Sequence, residues 1–105
     1  MLGPFEYQVL ATLQAEPNDA YGVTIRSRMS ARTGKTPSIG ALYTTLDRLV
    51  EKGFAKSRWG EATAARGGRR KRFYEISADG VRAIRHTQAA YRGPDELALP
   101  EGALA

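Results

Sequence analysis

The sequence predicts an α+β fold in which three short helices precede a two-stranded hairpin and a final helix. Three observations carry it. Apolar residues recur at three- and four-residue spacing over three early segments separated by glycine and proline. The period then changes to two across a pair of segments that bracket a stretch rich in Gly, Ala and Arg. Helical spacing returns after Ser77.

Gly3 and Pro4 open helix 1, since proline suits a first helical turn, and Phe5, Val9, Leu10 and Leu13 follow helical spacing. It stops near Glu16 and Pro17. Asn18 and Asp19 are the expected caps of helix 2, residues 20–33, with Tyr21, Ile25 and Met29 on one stripe and Gly34 as its stop. Lys35, Thr36 and Pro37 form a short connector, after which Ser38 caps helix 3; Leu42, Leu46, Leu49 and Val50 carry it to Lys52, and Gly53 ends it. Helices 2 and 3, joined so tightly, form a helix-turn-helix.

Strand 1, residues 54–59, places Ala55, Ser57 and Trp59 on one side and Phe54, Lys56 and Arg58 on the other. Strand 2, residues 71–77, turns Arg72, Tyr74 and Ile76 to one face. Between them, residues 60–70 are too many for a tight turn, so the hairpin is a wing with a mobile tip. Ser77 then caps helix 4, residues 78–92, whose Val81, Ile84, Gln88 and Tyr91 share a stripe. The assembled fold is a winged helix-turn-helix with a C-terminal dimerisation helix. Residues 1–77 are expected to form the winged helix-turn-helix, 78–92 the dimerisation helix and 93–105 a flexible tail.

Composition narrows the function. The chain has 105 residues, no cysteine and one histidine, which leaves room for one domain and excludes disulfides, thiolate metal sites and a cysteine nucleophile. No apolar run approaches the ~20 residues of a membrane span, and the first residues lack the pattern of a secretory signal, so a cytoplasmic protein is expected. No phosphate-binding glycine motif, nucleophile elbow or carboxylate pair is present; the chain is read as no enzyme, and no cofactor is assigned. His86 stands without a second imidazole or thiol and is expected at the surface or an interface.

Charge is uneven. Residues 1–20 hold three acidic residues and no basic one, whereas residues 21–60 hold eight basic against two acidic. Residues 61–75 hold five basic against two acidic, and the remainder is mildly acidic. A polyanion therefore meets the middle of the chain. In a helix-turn-helix the second helix of the pair enters the major groove, and here its first turns carry the small residues Ser38, Gly40 and Ala41, then Tyr43 and Thr44. Tyr43, Thr44, Asp47 and Arg48 lie opposite the buried leucines; Tyr43 packing partly into the core is the plain alternative. In the wing, residues 66–72 include Arg66, Arg69, Arg70, Lys71 and Arg72, suited to phosphates or a narrow minor groove. Alternation turns Arg72 toward the core side. Lys35, Lys52, Lys56 and Arg58 fit either flanking phosphates or a solvated surface, and Trp59 and Tyr74 are expected to be core aromatics.

Residues 40–54, GALYTTLDRLVEKGF, followed by residues 66–77, RGGRRKRFYEIS, with Gly80 and the pair Tyr21 and Gly22, resemble the PadR-like bacterial transcriptional regulators. The likeness spans residues 3–92. It implies a winged helix-turn-helix repressor that dimerises through its C-terminal helix and binds a palindromic operator, with Tyr43 as a DNA-contacting residue and residues 60–71 as the wing. Thr44 stands where relatives often carry proline, and the single short final helix resembles the compact branch of the family. Some relatives sense small molecules at the dimer interface, so an effector of unidentified chemistry is left open; helix 4 has no tryptophan for stacking one.

The expected partners are thus double-stranded DNA and a second copy of the chain, with no membrane. DNA contacts are expected from Lys35, Ser38, Gly40, Ala41, Tyr43, Thr44, Arg48, Arg66, Arg69, Arg70 and Lys71. The dimer contact is expected from Phe5, Val81, Ile84, Gln88 and Tyr91, because so short a final helix has little to pack against within one subunit. The alternative is a winged-helix module that binds an acidic protein or RNA.

Overall fold

The computed structural model describes residues 2–18, 20–61 and 70–91. Its elements are α1 (Pro4–Ala15), α2 (Gly22–Thr33), α3 (Ile39–Glu51), β1 (Ala55–Trp59), β2 (Arg72–Ile76) and α4 (Ala78–Tyr91). This is the winged helix-turn-helix that the periodicities predict. The wing tip and the tail after Tyr91 lie outside the described residues.

Local chemistry sets most boundaries. Pro4 opens α1, and the Gly3 amide donates to Glu6 Oε1 at 3.2 Å, which satisfies a donor that the helix leaves unpaired. Ser38 caps α3 by accepting from the Ala41 amide at 3.1 Å. Gly34 and Gly53 end α2 and α3 at φ 75° and 78°, in the left-handed region.

The start of α2 differs from the sequence expectation. Tyr21, not Asn18 or Asp19, is the N-cap residue and is extended, and Ala20 lies outside the helix. The cause is tertiary: the Tyr74 amide donates to the Ala20 carbonyl at 2.8 Å, and Tyr21 forms a bridge with Phe73. Thr24 Oγ1 then accepts from the Tyr21 amide at 3.0 Å and closes the first turn.

Leu10, Leu13, Ile25, Leu42, Leu46 and Leu49 form the fully buried centre, contributed by α1, α2 and α3. β1 and β2 are antiparallel, in a register that pairs Ala55 with Ile76 and Trp59 with Arg72. Along β1 the face shared by Ala55 and Trp59 passes from 3% to 56% exposed, so the hairpin leaves the core as it runs outward. Trp59 is therefore a surface residue, contrary to expectation, whereas Tyr74 is buried as expected.

Helix α4 also packs more closely on its own subunit than its length suggests. Ile84 and Thr87 are buried. The Leu2 amide donates to Thr87 Oγ1, and Gln88 Nε2 donates to the Tyr7 hydroxyl, each at 3.0 Å. Ile84 is thus buried in the subunit core and not exposed for the expected dimer contact, because α4 packs against α1 within the chain.

Candidate nucleic-acid interface

The wing stands beside α3. Tyr43 and Asp47 of α3, Trp59 of β1, Arg70 and Lys71 before β2, and Arg72 and Tyr74 of β2 line one open cleft of about 470 Å³ with Tyr21, Gly22 and Val23. Helix and hairpin thereby present one concave face.

Each cation in this face is oriented by an aromatic ring. Arg70 Nε donates to the Gly60 carbonyl at 2.9 Å, and its guanidinium lies 5.7 Å from the centre of the Trp59 ring. Lys71 Nζ lies 4.2 Å above the Tyr21 ring, which itself meets Phe73 edge-on. Outside this cleft, Arg58 covers Phe73 at 4.6 Å. Arg72 is the hub: it donates to Ser57 Oγ at 2.9 Å, faces Asp47 Oδ1 at 3.6 Å and lies over both Trp59 and Tyr74. The ring contacts hold Arg70 and Lys71 in place without neutralising them, whereas Arg72 is ion-paired with Asp47.

Tyr43 is 38% exposed, and its phenol lies across Gly22 at the start of α2. A Cβ on Gly22 would stand 2.7 Å from Tyr43 Cζ and closer still to the hydroxyl oxygen, so the glycine makes room for the ring. Burial pushes the Tyr74 phenol above its ordinary value of 10, with Arg72 acting against the rise.

Of the expected DNA contacts, Tyr43, Arg70 and Lys71 meet in the cleft. Lys35, Ser38, Gly40, Ala41, Thr44 and Arg48 are exposed but do not line it. Arg48 lies close enough to Glu6 to help lower that carboxyl's pKa, which places it toward α1. Arg66 and Arg69 lie outside the described residues. The arginines of α2 are engaged within the subunit: Arg26 with the Pro37 carbonyl, Arg28 with Glu16 and Arg32 with Thr12.

Sequence reasoning missed Trp59, Val23 and Ile39 as exposed residues of this region, and the half-buried Tyr21 as part of the cleft. The exposed ends of β1 and α3 are hard to see because alternation and helical spacing specify a face, not how far the core extends beneath it. Among the described residues, no helix is long and apolar enough to cross a membrane, and no cluster of His, Asp and Glu is placed to hold a metal ion.

A helix-turn-helix whose third helix is flanked by a basic two-stranded hairpin defines a winged-helix regulator. More particularly, the chain belongs to the transcriptional regulator PadR-like family, which it matches over residues 9–86. That family comprises regulators, not enzymes.

Solved structures share the fold. A PadR family transcription regulator from Clostridium difficile R20291 is 22% identical, with 86% of this chain and 88% of that one covered and a TM-score of 0.68. A transcriptional regulator from Clostridium thermocellum is 24% identical over 82% of this chain and 80% of its own, with a TM-score of 0.69. Bacillus subtilis PadR, solved in complex with operator DNA, is 20% identical over 93% of this chain and 51% of its own, with a TM-score of 0.70. No curated protein sequence matches the chain.

Proposed function

We propose that this chain is a homodimeric, sequence-specific DNA-binding repressor of a palindromic operator. The observation that carries the reading is the convergence of Tyr43 from α3 with Arg70 and Lys71 from the wing on one concave face. The α3 N-terminus would enter the major groove while the wing tracks the adjacent backbone. The operator-bound Bacillus subtilis relative supports duplex DNA as the ligand.

For the second copy, Phe5 and Tyr91 offer apolar surface at 37% and 42% exposure, and Val81 and Gln88 are half-buried on α4. Residues 1–77 would then read DNA while 78–92 join the subunits, setting two reading helices about 34 Å apart for half-sites one turn of DNA apart.

A fluorescence titration of the full chain against random duplex, single strand and an acidic peptide, at two salt concentrations, tests the ligand. Duplex binding that weakens steeply with salt is expected. Tighter binding of the single strand or the peptide would replace this reading with the interaction-module alternative.

A further inference from the structure

Ile39 is the first residue of α3 and is 46% exposed. A β-branched residue there adds little to helix formation, and a side chain so exposed adds little to the core. Its setting is nevertheless rigid. The connector before it is tied to α2 twice: Arg26 Nε donates to the Pro37 carbonyl at 2.8 Å, and the hydroxyls of Ser30 and Thr36 meet at 2.9 Å.

Val23, 65% exposed, shares with Ile39 a cleft of about 440 Å³ between α2 and α3. Val23 also lines the cleft that holds Tyr43 and the wing cations, so this apolar edge is continuous with the candidate interface. The Val23–Ile39 cleft is lined by no carboxylate, and the one in the adjoining cleft, Asp47, is paired with Arg72, which lets a polyanion approach this edge.

Base edges in the major groove present donors, acceptors and one apolar group, the C5-methyl of thymine. We propose that Ile39, with Val23 beside it, contacts a thymine C5-methyl and makes the protein select thymine at one position of its binding site. The inference rests on the nucleic-acid reading above and adds the base that the start of α3 selects. Gly40 and Ala41, which follow, leave the helix slim enough for Ile39 to reach the base edge.

The test begins with selection of bound sequences from random duplex by the full chain. Each thymine of the recovered site is then replaced singly by deoxyuridine, which removes the methyl group and keeps every hydrogen-bonding atom. One replacement is expected to weaken binding about fourfold, the worth of one buried methyl group. With Ile39→Ala, whose exposed position spares the core, the same replacement should have no effect. A site without a methyl-sensitive thymine, or equal sensitivity in wild type and Ile39→Ala, overturns the proposal while leaving DNA binding intact. Failure to recover any preferred duplex overturns the nucleic-acid reading and this inference with it.

Discussion

The phenol of Tyr43 rests against the bare Cα of Gly22, at a distance that leaves no space for a methyl group on the glycine. Gly22→Ala must therefore swing the ring aside. The alanine suits the first turn of α2, so stability should change by no more than about 1 kcal/mol, whereas preference among operator sequences should shift as in Tyr43→Ala. Binding of operator variants by Gly22→Ala, Tyr43→Ala and the double variant checks this. The double variant should match Tyr43→Ala, because both changes remove one interaction; uniform loss across all sequences would mean that Tyr43 only packs.

Trp59 is the sole tryptophan, and the guanidiniums of Arg70 and Arg72 each lie 5.7 Å from its ring centre. Its fluorescence therefore reports on the wing. Duplex DNA should protect it from acrylamide quenching, and Arg72→Lys, which cannot bridge Ser57 and Asp47 with a planar fork, should increase quenching in the free protein.

Lys52 Nζ lies 2.7 Å from Glu6 Oε2, and that hydrogen bond, with help from the Gly3 amide, holds the Glu6 carboxyl below its ordinary value of 4.5 against the opposing effect of burial. A lowered folded-state pKa stabilises the fold above the unfolded value, and the contribution disappears as pH falls through the folded value. The lysine is 45% exposed, so screening limits the pair to at most about 1 kcal/mol. Denaturant titrations of wild type and Glu6→Gln should differ at pH 7 and converge as pH falls through the lowered folded-state value of Glu6.

Ile84 and Tyr91 share a helix but should behave differently. Ile84→Ala opens a cavity in the subunit core and should cost about 2–4 kcal/mol in denaturant unfolding. Tyr91→Ala should leave subunit packing intact and weaken self-association in sedimentation at low protein concentration. Unchanged association would remove Tyr91 from the proposed contact.

The legible parts of this fold are those decided by near neighbours. Ser38 capping α3, Gly34 and Gly53 as stops, and the alternation of β2 follow from chemistry within a few residues. Gly80 also stood out in the sequence, and packing explains it: a Cβ would lie 2.7 Å from Ile76 Cγ1 and closer still to the Phe54 carbonyl oxygen. The misread parts depend on distant partners. Residues 20–21 are drawn out of α2 by β2, more than fifty residues later in the chain, and α4, which buries Ile84, packs against α1 and Leu2 at the other end of the sequence. At the candidate site, the small residues and tyrosine of α3 and the basic wing are legible as residue types, whereas the rings that orient the cations are visible only once β1, β2 and α2 are brought together.

Salt dependence of duplex binding tests most directly whether helix and wing act as one clamp. The logarithm of the affinity of wild type and of Arg70→Ala/Lys71→Ala is measured against the logarithm of salt concentration. Loss of two phosphate contacts should flatten the slope by about 1.8 and weaken binding to all sequences alike. An unchanged slope, with affinity retained, would contradict the clamp.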